Sequence, residues 1–395
     1  MNTGTKKFML LLFFLFLALI PLGVVPGFQF LAQSDWLRLL SEVSIFLVGA
    51  LGLNILTGLA GQVSLGHAFF MGVGAYTAAW LGGEVGGPHM GLGLPMWVWL
   101  PAAGIVAAAI GVAIGPTAVR VRGLYLAFVT LGLVFVGEYV FRNWDSLTGG
   151  AQTGRVFPPL EIKLWKEEEP LLDFATDGSW FGIELNANAK AYYLLLVLAT
   201  VAVLLAKNLQ RTRVGRAFQS IRDRDIAAEI MGVNEFKYKL TAFGISSFYA
   251  GVAGALFASF VGRMIPEQWN LFLSVEFIAI VLIGGAGVVT GTILGSVFVI
   301  VLPRIVEDLT NGIAAIVVEG SGPIAWLGDI FVSTGPDDFG FVNTVAGVAP
   351  GLSIPQFNQV LYGFLIIVFL IFEPLGLYGI WLRIRNYWKG WPFTY

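Results

Sequence analysis

Cysteine is absent from this chain, histidine occurs twice, and Asp, Glu, Lys and Arg together make up only 12% of its 395 residues. Without cysteine there is no disulfide, no thiol nucleophile and no thiolate metal site. Two histidines are too few for an ordinary imidazole-based metal centre, so neither a metal nor a cofactor is expected. Soluble domains carry about 25% charged residues, and a chain this poor in charge cannot cover itself with a water-compatible surface. A formal net charge of −2 provides no basic field for nucleic acid. The sequence also lacks a G-x-S-x-G elbow, an H-E-x-x-H pair and a GxxxxGK[ST] phosphate loop. No enzymatic chemistry is expected of it, and any ATP hydrolysis that drives it belongs to another polypeptide.

What the chain has in abundance is apolar sequence. Hydrophobic residues make up 57%, mean hydropathy is +0.80, and there are 50 glycines. Runs of about 18–25 apolar residues, the length that crosses a bilayer as a helix, recur along most of it. Ten spans are expected, at 8–25, 38–57, 63–82, 96–118, 124–141, 191–206, 240–262, 274–285, 289–306 and 358–378. The first follows Lys6 and Lys7 and runs past the usual length of a signal sequence with no cleavage site, so it reads as a retained helix. Fifteen of the 23 Lys and Arg residues fall in segments that are cytoplasmic if both termini are inside. Arg120, Arg122, Arg213, Arg216, Arg383 and Arg385 are among them, and this bias sets the orientation. Glu167 to Glu169, Asp337 and Asp338 lie on the other side. The expected fold is therefore an all-α integral membrane protein: one permease domain over 1–395, with long external loops at 142–190 and 307–357. Ten spans with both ends inside also permit an inverted five-plus-five repeat.

Three segments stand out. The first is GLAGQVSLGHAFFMGVGAYTAAWL, 58–81, where Gln62, Ser64, Gly66 and His67 open a glycine-rich run. Glycine costs about 1 kcal/mol relative to alanine within a helix in water, yet in a membrane small residues let backbones touch. Irregular backbone at that depth is tolerated only against protein or a watery cavity. The segment reads as a partly broken helix beside a path, against the simpler reading of close packing around a satisfied polar cluster. The second is SVEFIAIVLIGGAGVVTGTILGSVF, 274–298, with Gly287, Gly291 and Gly295 four residues apart for helix packing and Glu276 near the outer end of its span. A carboxylate there either faces a cavity or snorkels to the interface.

The third segment is polar, 207–239. Asp223 and Asp225 precede a short apolar helix, Ile226 to Met231, and Gly232 suits the position just past its end. A six-residue helix is too short to stand alone, so its apolar side needs a groove, on this chain or on a partner.

Together, AGQVSLGHAFFMGVGAYTAA (60–79), LTGG (147–150), GRAFQSIRDRDIAAEIMGVN (215–234), YKLTAFGISSFYAGVAGALF (238–257), SVEFIAIVLIGGAGVVTGTILG (274–295) and IFEPLGLYGIWLRIRNYW (371–388) resemble the permease subunits of branched-chain amino acid ABC importers, specifically the M-type subunit of the high-affinity Leu/Ile/Val kind. The resemblance implies a multi-pass subunit of a prokaryotic plasma (inner) membrane, in contact with lipid. It implies a homologous partner permease, two cytoplasmic ATP-binding subunits and an extracytoplasmic substrate-binding protein. It further implies that 215–234 docks in a groove of the ATPase; on this reading Gly215, Arg216, Asp223, Ala227, Ala228 and Gly232 are expected in coupling, and Gln62, Ser64, Gly66, His67 and Glu276 along the path. The same kind of machine also serves urea, short amides and other amino acids. An ion-coupled transporter acting alone would need more intramembrane acids than the chain has. Two departures stand out: the external segments near 155–190 and 307–357 exceed the family pattern, and LTGG is followed by AQTGRVFPP.

Overall fold

The computed structural model describes residues 12, 15–119, 124–163, 170–180, 183–319, 332–333, 340–343 and 351–390. Lys6, Lys7, Arg120, Arg122, Glu167 to Glu169, Asp337 and Asp338, which carry part of the orientation argument, lie outside those residues, as do 8–11, 13 and 14 of the expected span 8–25.

The chain is mostly helical: α1 Ser34–Leu53, α2 His67–Gly82, α3 Met96–Val119, α4 Leu124–Asn143, α5 Ala187–Arg211, α6 Arg213–Asp223, α7 Asp225–Ile230, α8 Glu235–Val261, α9 Leu271–Gly284, α10 Val289–Glu319, α11 Ile354–Phe372 and α12 Gly376–Gly390. Among the described residues, eight helices are long and apolar enough to cross a membrane. The expected span 63–82 is not among them. Its helix starts only at His67 and has 16 residues, about 24 Å at 1.5 Å per residue against a hydrocarbon core of about 30 Å. The expected span 289–306 is instead much longer, reaching Glu319 with Pro303 inside it, so the first part of the expected loop 307–357 is helix.

The mostly helical chain fits the expected all-α class, with short strands in its connecting segments. The segment 142–190 holds two single-turn helices and short strands: β1 Arg155–Val156, β2 Glu161–Ile162, β3 Leu172–Asp173, β4 Gly178–Trp180 and β5 Ile183–Leu185, with β2–β3 and β4–β5 as antiparallel hairpins. β1 pairs with β6, Arg263–Met264, at the end of α8. Buried connecting backbone must satisfy its hydrogen bonds, and ladders do so where no helix is continuous. Arg155 organises this region. Its guanidinium is buried and donates to the carbonyls of Ala79 (2.5 Å), Leu147 and Met90. Burial lowers its pKa from the ordinary arginine value.

By its internal contacts the chain divides into two compact units, one of residues 1–278 with 287–289, the other of 279–286 with 290–395. In the first, α8 is the central helix, packed on α1, α2 and α3. Small residues let the backbones meet. A Cβ added at Gly74 would run into the backbone of Gly251, and one at Gly254 into the backbone of Met71. Beside this seam Phe46 of α1 stacks on Phe277 of α9 with ring centroids 4.9 Å apart. In the second unit, Gly284 faces Gly291 and Gly295 of α10 at a spacing no larger residue permits. The Tyr362 hydroxyl of α11 donates to the Val299 carbonyl at 3.1 Å. β7 Val332–Ser333, β8 Val342–Asn343 and β9 Leu352–Ser353 form a small parallel sheet, after which a capping box of Ser353 and Gln356 starts α11.

Candidate translocation and coupling site

α1 does not end cleanly. Its last residues widen into a π turn, Asn54–Leu59, in which the Ala60 N–H reaches back five residues to the Ile55 carbonyl at 3.1 Å. Such π segments are uncommon and concentrate at functional positions. From Gly61 to Gly66 the backbone is irregular, then α2 begins. Its first N–H groups lack intrahelical acceptors, and side chains from other helices supply some. Thr130 of α4 accepts from the Leu65 N–H at 2.9 Å, and Ser274 of α9 accepts from the Ala68 N–H at 3.0 Å. The Ser64 hydroxyl accepts from the Gly66 N–H at 3.3 Å. Gly66 packs so closely on the Thr130 carbonyl that a Cβ would lie 2.9 Å from it.

Four of the sequence-predicted path residues therefore share this break. Gln62, Ser64 and His67 are all buried, at 4%, 3% and 2% exposure. Both polar atoms of the Gln62 amide and Nε2 of His67 lack a hydrogen-bond partner among the described residues. The His67 ring lies against Phe277 with centroids 4.7 Å apart. Glu276, although adjacent to Phe277 in sequence, belongs to another face of α9 and lies in electrostatic range of Glu42 on α1, which pairs with Arg38 at 3.6 Å. The structure thus gathers residues 62–67 and does not place Glu276 with them.

Gly287 also departs from its expected role. It lies in the turn between α9 and α10 with φ +83°, a conformation that suits glycine, so it shares no helical face with Gly291 and Gly295. Its N–H donates to Asn54 Oδ1 at 2.7 Å, and its carbonyl accepts from Gln210 Nε2 at 3.2 Å.

The polar segment holds two helices rather than the single one expected. α6 shows Val214, Ala217, Phe218 and Ile221 at helical spacing, a periodicity visible in the sequence. Thr212 caps it by accepting from the Gly215 N–H at 3.3 Å. Its apolar side, with Gly215, Ala217, Phe218 and Ile221, is buried, whereas Arg216 is exposed and donates to the Arg211 carbonyl. Asp223 closes α6 rather than capping α7. It accepts from Arg222 Nε and Nη2 at 3.1 and 3.0 Å.

α7 presents the opposite picture. Ala228 is buried, but Ala227 is exposed and Ile226, Ile230 and Met231 are 64%, 80% and 84% exposed. Gly232 follows with φ +84° and nothing within 4 Å of the place a Cβ would occupy. Phe236, at the start of α8, is 47% exposed. A half-buried helix is thus followed by an exposed apolar knuckle. Among the described residues no group of His, Cys, Asp and Glu is placed to hold a metal ion.

The family model described as branched-chain amino acid transport system / permease component matches residues 36–370. The high-affinity branched-chain amino acid transport system permease protein LivM of Escherichia coli (strain K12) is 33% identical over 302 residues, 74% of this chain and 68% of that protein. Its counterpart in Salmonella typhimurium is 32% identical over 298 residues, 73% of this chain and 68% of that protein. The autoinducer 2 import system permease protein LsrC of Escherichia coli (strain K12 / DH10B) is 28% identical over 320 residues, 76% of this chain and 83% of that protein. No solved structure matches the chain. With the family model spanning most of its length, the chain belongs to the permease components of branched-chain amino acid transport systems.

Proposed function

We propose that this chain is one of two permease subunits of an ATP-driven importer for branched-chain amino acids, and that it receives its driving force mechanically at α6–α7. The observation that carries this reading is the exposed run Ile226, Ile230 and Met231 on a helix too short to persist unsupported. Exposed apolar patches on a rigid base mark protein contact sites, and α6 supplies the base through its buried Phe218 and Ile221. Two cytoplasmic ATP-binding subunits are the proposed occupants, with an extracytoplasmic binding protein delivering solute to the opposite side. A ten-span, five-plus-five arrangement with both termini inside belongs to the same proposal.

The proposed path runs beside the break between α1 and α2. Gln62 brings an amide whose donor and acceptor have no partner among the described residues, suited to a solute that carries both an ammonium and a carboxylate. Ser64, Gly66 and His67 line the break, and Glu276 lies farther along α9. Hydrolysis of ATP is assigned to the partner subunits. The similarity to an autoinducer 2 import permease favours a second reading, in which the same machine carries another small polar solute.

The test is to purify the chain with the proteins that accompany it and identify the solute held by the accompanying binding protein. Leucine, isoleucine or valine at stoichiometric occupancy supports the first reading. A bound sugar-like or amide solute supports the second.

A further inference from the structure

We propose that Arg222 is the positioning residue that couples α6 to the break between α1 and α2. The proposal rests on the reading that partners act at α6–α7, and it names the route inward from there.

Arg222 Nη1 donates to the Gly58 carbonyl at 2.8 Å, across 164 residues of sequence. Gly58 lies in the π turn, four residues before Gln62. Carbonyls at a helix end have no intrahelical donor, and the C-terminal end of the dipole favours a cation. A guanidinium answers both needs, and its planar fork fixes the direction of the contact. Asp223 holds the other edge of that fork through its bonds to Nε and Nη2. Arg222 is therefore held at both edges.

The backbone of two glycines approaches it closely on its inner side, although the side chain is 40% exposed. A Cβ added at Gly61 would lie 2.8 Å from Arg222 Cγ and 3.2 Å from its Cβ, and one added at Gly287 would lie 2.9 Å from Nη1. Gly287 is itself tied to Asn54 at the start of the π turn and to Gln210 at the end of α5. The π turn is thus gripped at Asn54 and at Gly58, with the second grip belonging to α6. Phe218 and Ile221 are buried at 0% and 4% exposure, so α6 is seated as a body and cannot shift without carrying Arg222. A displacement imposed on α7 consequently reaches Gly58, and through it the segment that holds Gln62 and Ser64. Without Arg222 the two would still touch, but the π turn would lose its directional bond to α6.

The experiment uses the complete importer, with partner permease, ATP-binding subunits and binding protein, in proteoliposomes. Solute imported per ATP hydrolysed is measured for R222A and R222K, and for the double variant G61C/R222C in oxidised and reduced form. The chain has no cysteine of its own to interfere, and the short Cβ separation is near the roughly 3.5–4.5 Å of a disulfide. The expected result is an assembled R222A complex whose transport per ATP falls on the order of tenfold, partial recovery in R222K, and recovery on oxidation of the double variant. Unchanged stoichiometry in R222A, or a smaller amount of complex with normal stoichiometry, overturns the proposal. Undiminished association of the ATP-binding subunits with I230S/M231S would be a different result and would sink the underlying reading instead.

Discussion

Asn54 and Gly287, separated by 233 residues, are joined by a 2.7 Å hydrogen bond from the glycine N–H to the asparagine side-chain oxygen. Asn54 is 1% exposed and sits where α1 turns into its π segment. The bond brings the turn between α9 and α10 to the place where the α1 helix is interrupted. Removing the acceptor leaves a partly buried N–H unpaired, at up to about 1–3 kcal/mol. N54A is expected to lower the unfolding midpoint of the detergent-solubilised protein, and a midpoint equal to wild type would show that the bond carries no stability.

The seam between α2 and α8 tolerates no side chain. Gly74 meets the Gly251 backbone and Gly254 meets the Met71 backbone, so any Cβ forces helices apart. Overpacking of this kind costs about 1–3 kcal/mol for even one methylene group. G74A and G254A are expected to reduce folded yield and thermal stability. G363A, at a site with nothing within 4 Å, serves as the tolerant control. Equal stability in all three would contradict the close packing.

At α7 the expectation reverses, because the residues are exposed. I230S/M231S removes apolar surface that is 80% and 84% exposed. Surface changes usually move stability by no more than about 0.5 kcal/mol, so the fold is expected to persist. Association with the ATP-binding subunits, measured by co-purification, is expected to fall with it intact.

Burial raises the Asp173 carboxyl, but hydrogen bonds from the Thr176 hydroxyl and the N–H groups of Ala175 and Thr176, with Lys190 nearby, outweigh it and hold its pKa below the ordinary value. A depressed acid stabilises the fold above its unfolded pKa and loses that contribution as pH falls through the folded one. The turn after β3 should therefore be firm at neutral pH and open to proteolysis only below about pH 4. D173N should abolish the pH dependence, and an unaltered acid profile in that variant would contradict the assignment.

How much of this was legible in the sequence varies by element. Long apolar runs have few physical alternatives, so α1, α3, α4, α5 and α8 correspond to expected spans, and the quoted motifs identify the family. The knuckle at Ile226–Met231 was legible too, since its apolar residues sat in a polar segment. The break at 60–66 was readable only as a weakness, because glycine lowers helix propensity without saying where the helix stops. Thr130 and Ser274, which satisfy backbone N–H groups at the start of α2, come from distant helices. Gly287 looked like a member of a four-residue repeat, since spacing cannot distinguish a turn glycine from a packing one. Arg222 passed as one more inner-side cation, because its acceptor is a main-chain carbonyl that leaves no mark in the side-chain pattern. Arg155 hid in the same way behind three carbonyls.

The most direct measurement is solute uptake into proteoliposomes holding the two permease subunits, with the binding protein outside, and with and without the ATP-binding subunits and ATP inside. Accumulation only when both are present, and its loss in I230S/M231S, is the predicted outcome. Accumulation driven by an ion gradient across liposomes that lack any ATPase would contradict the account.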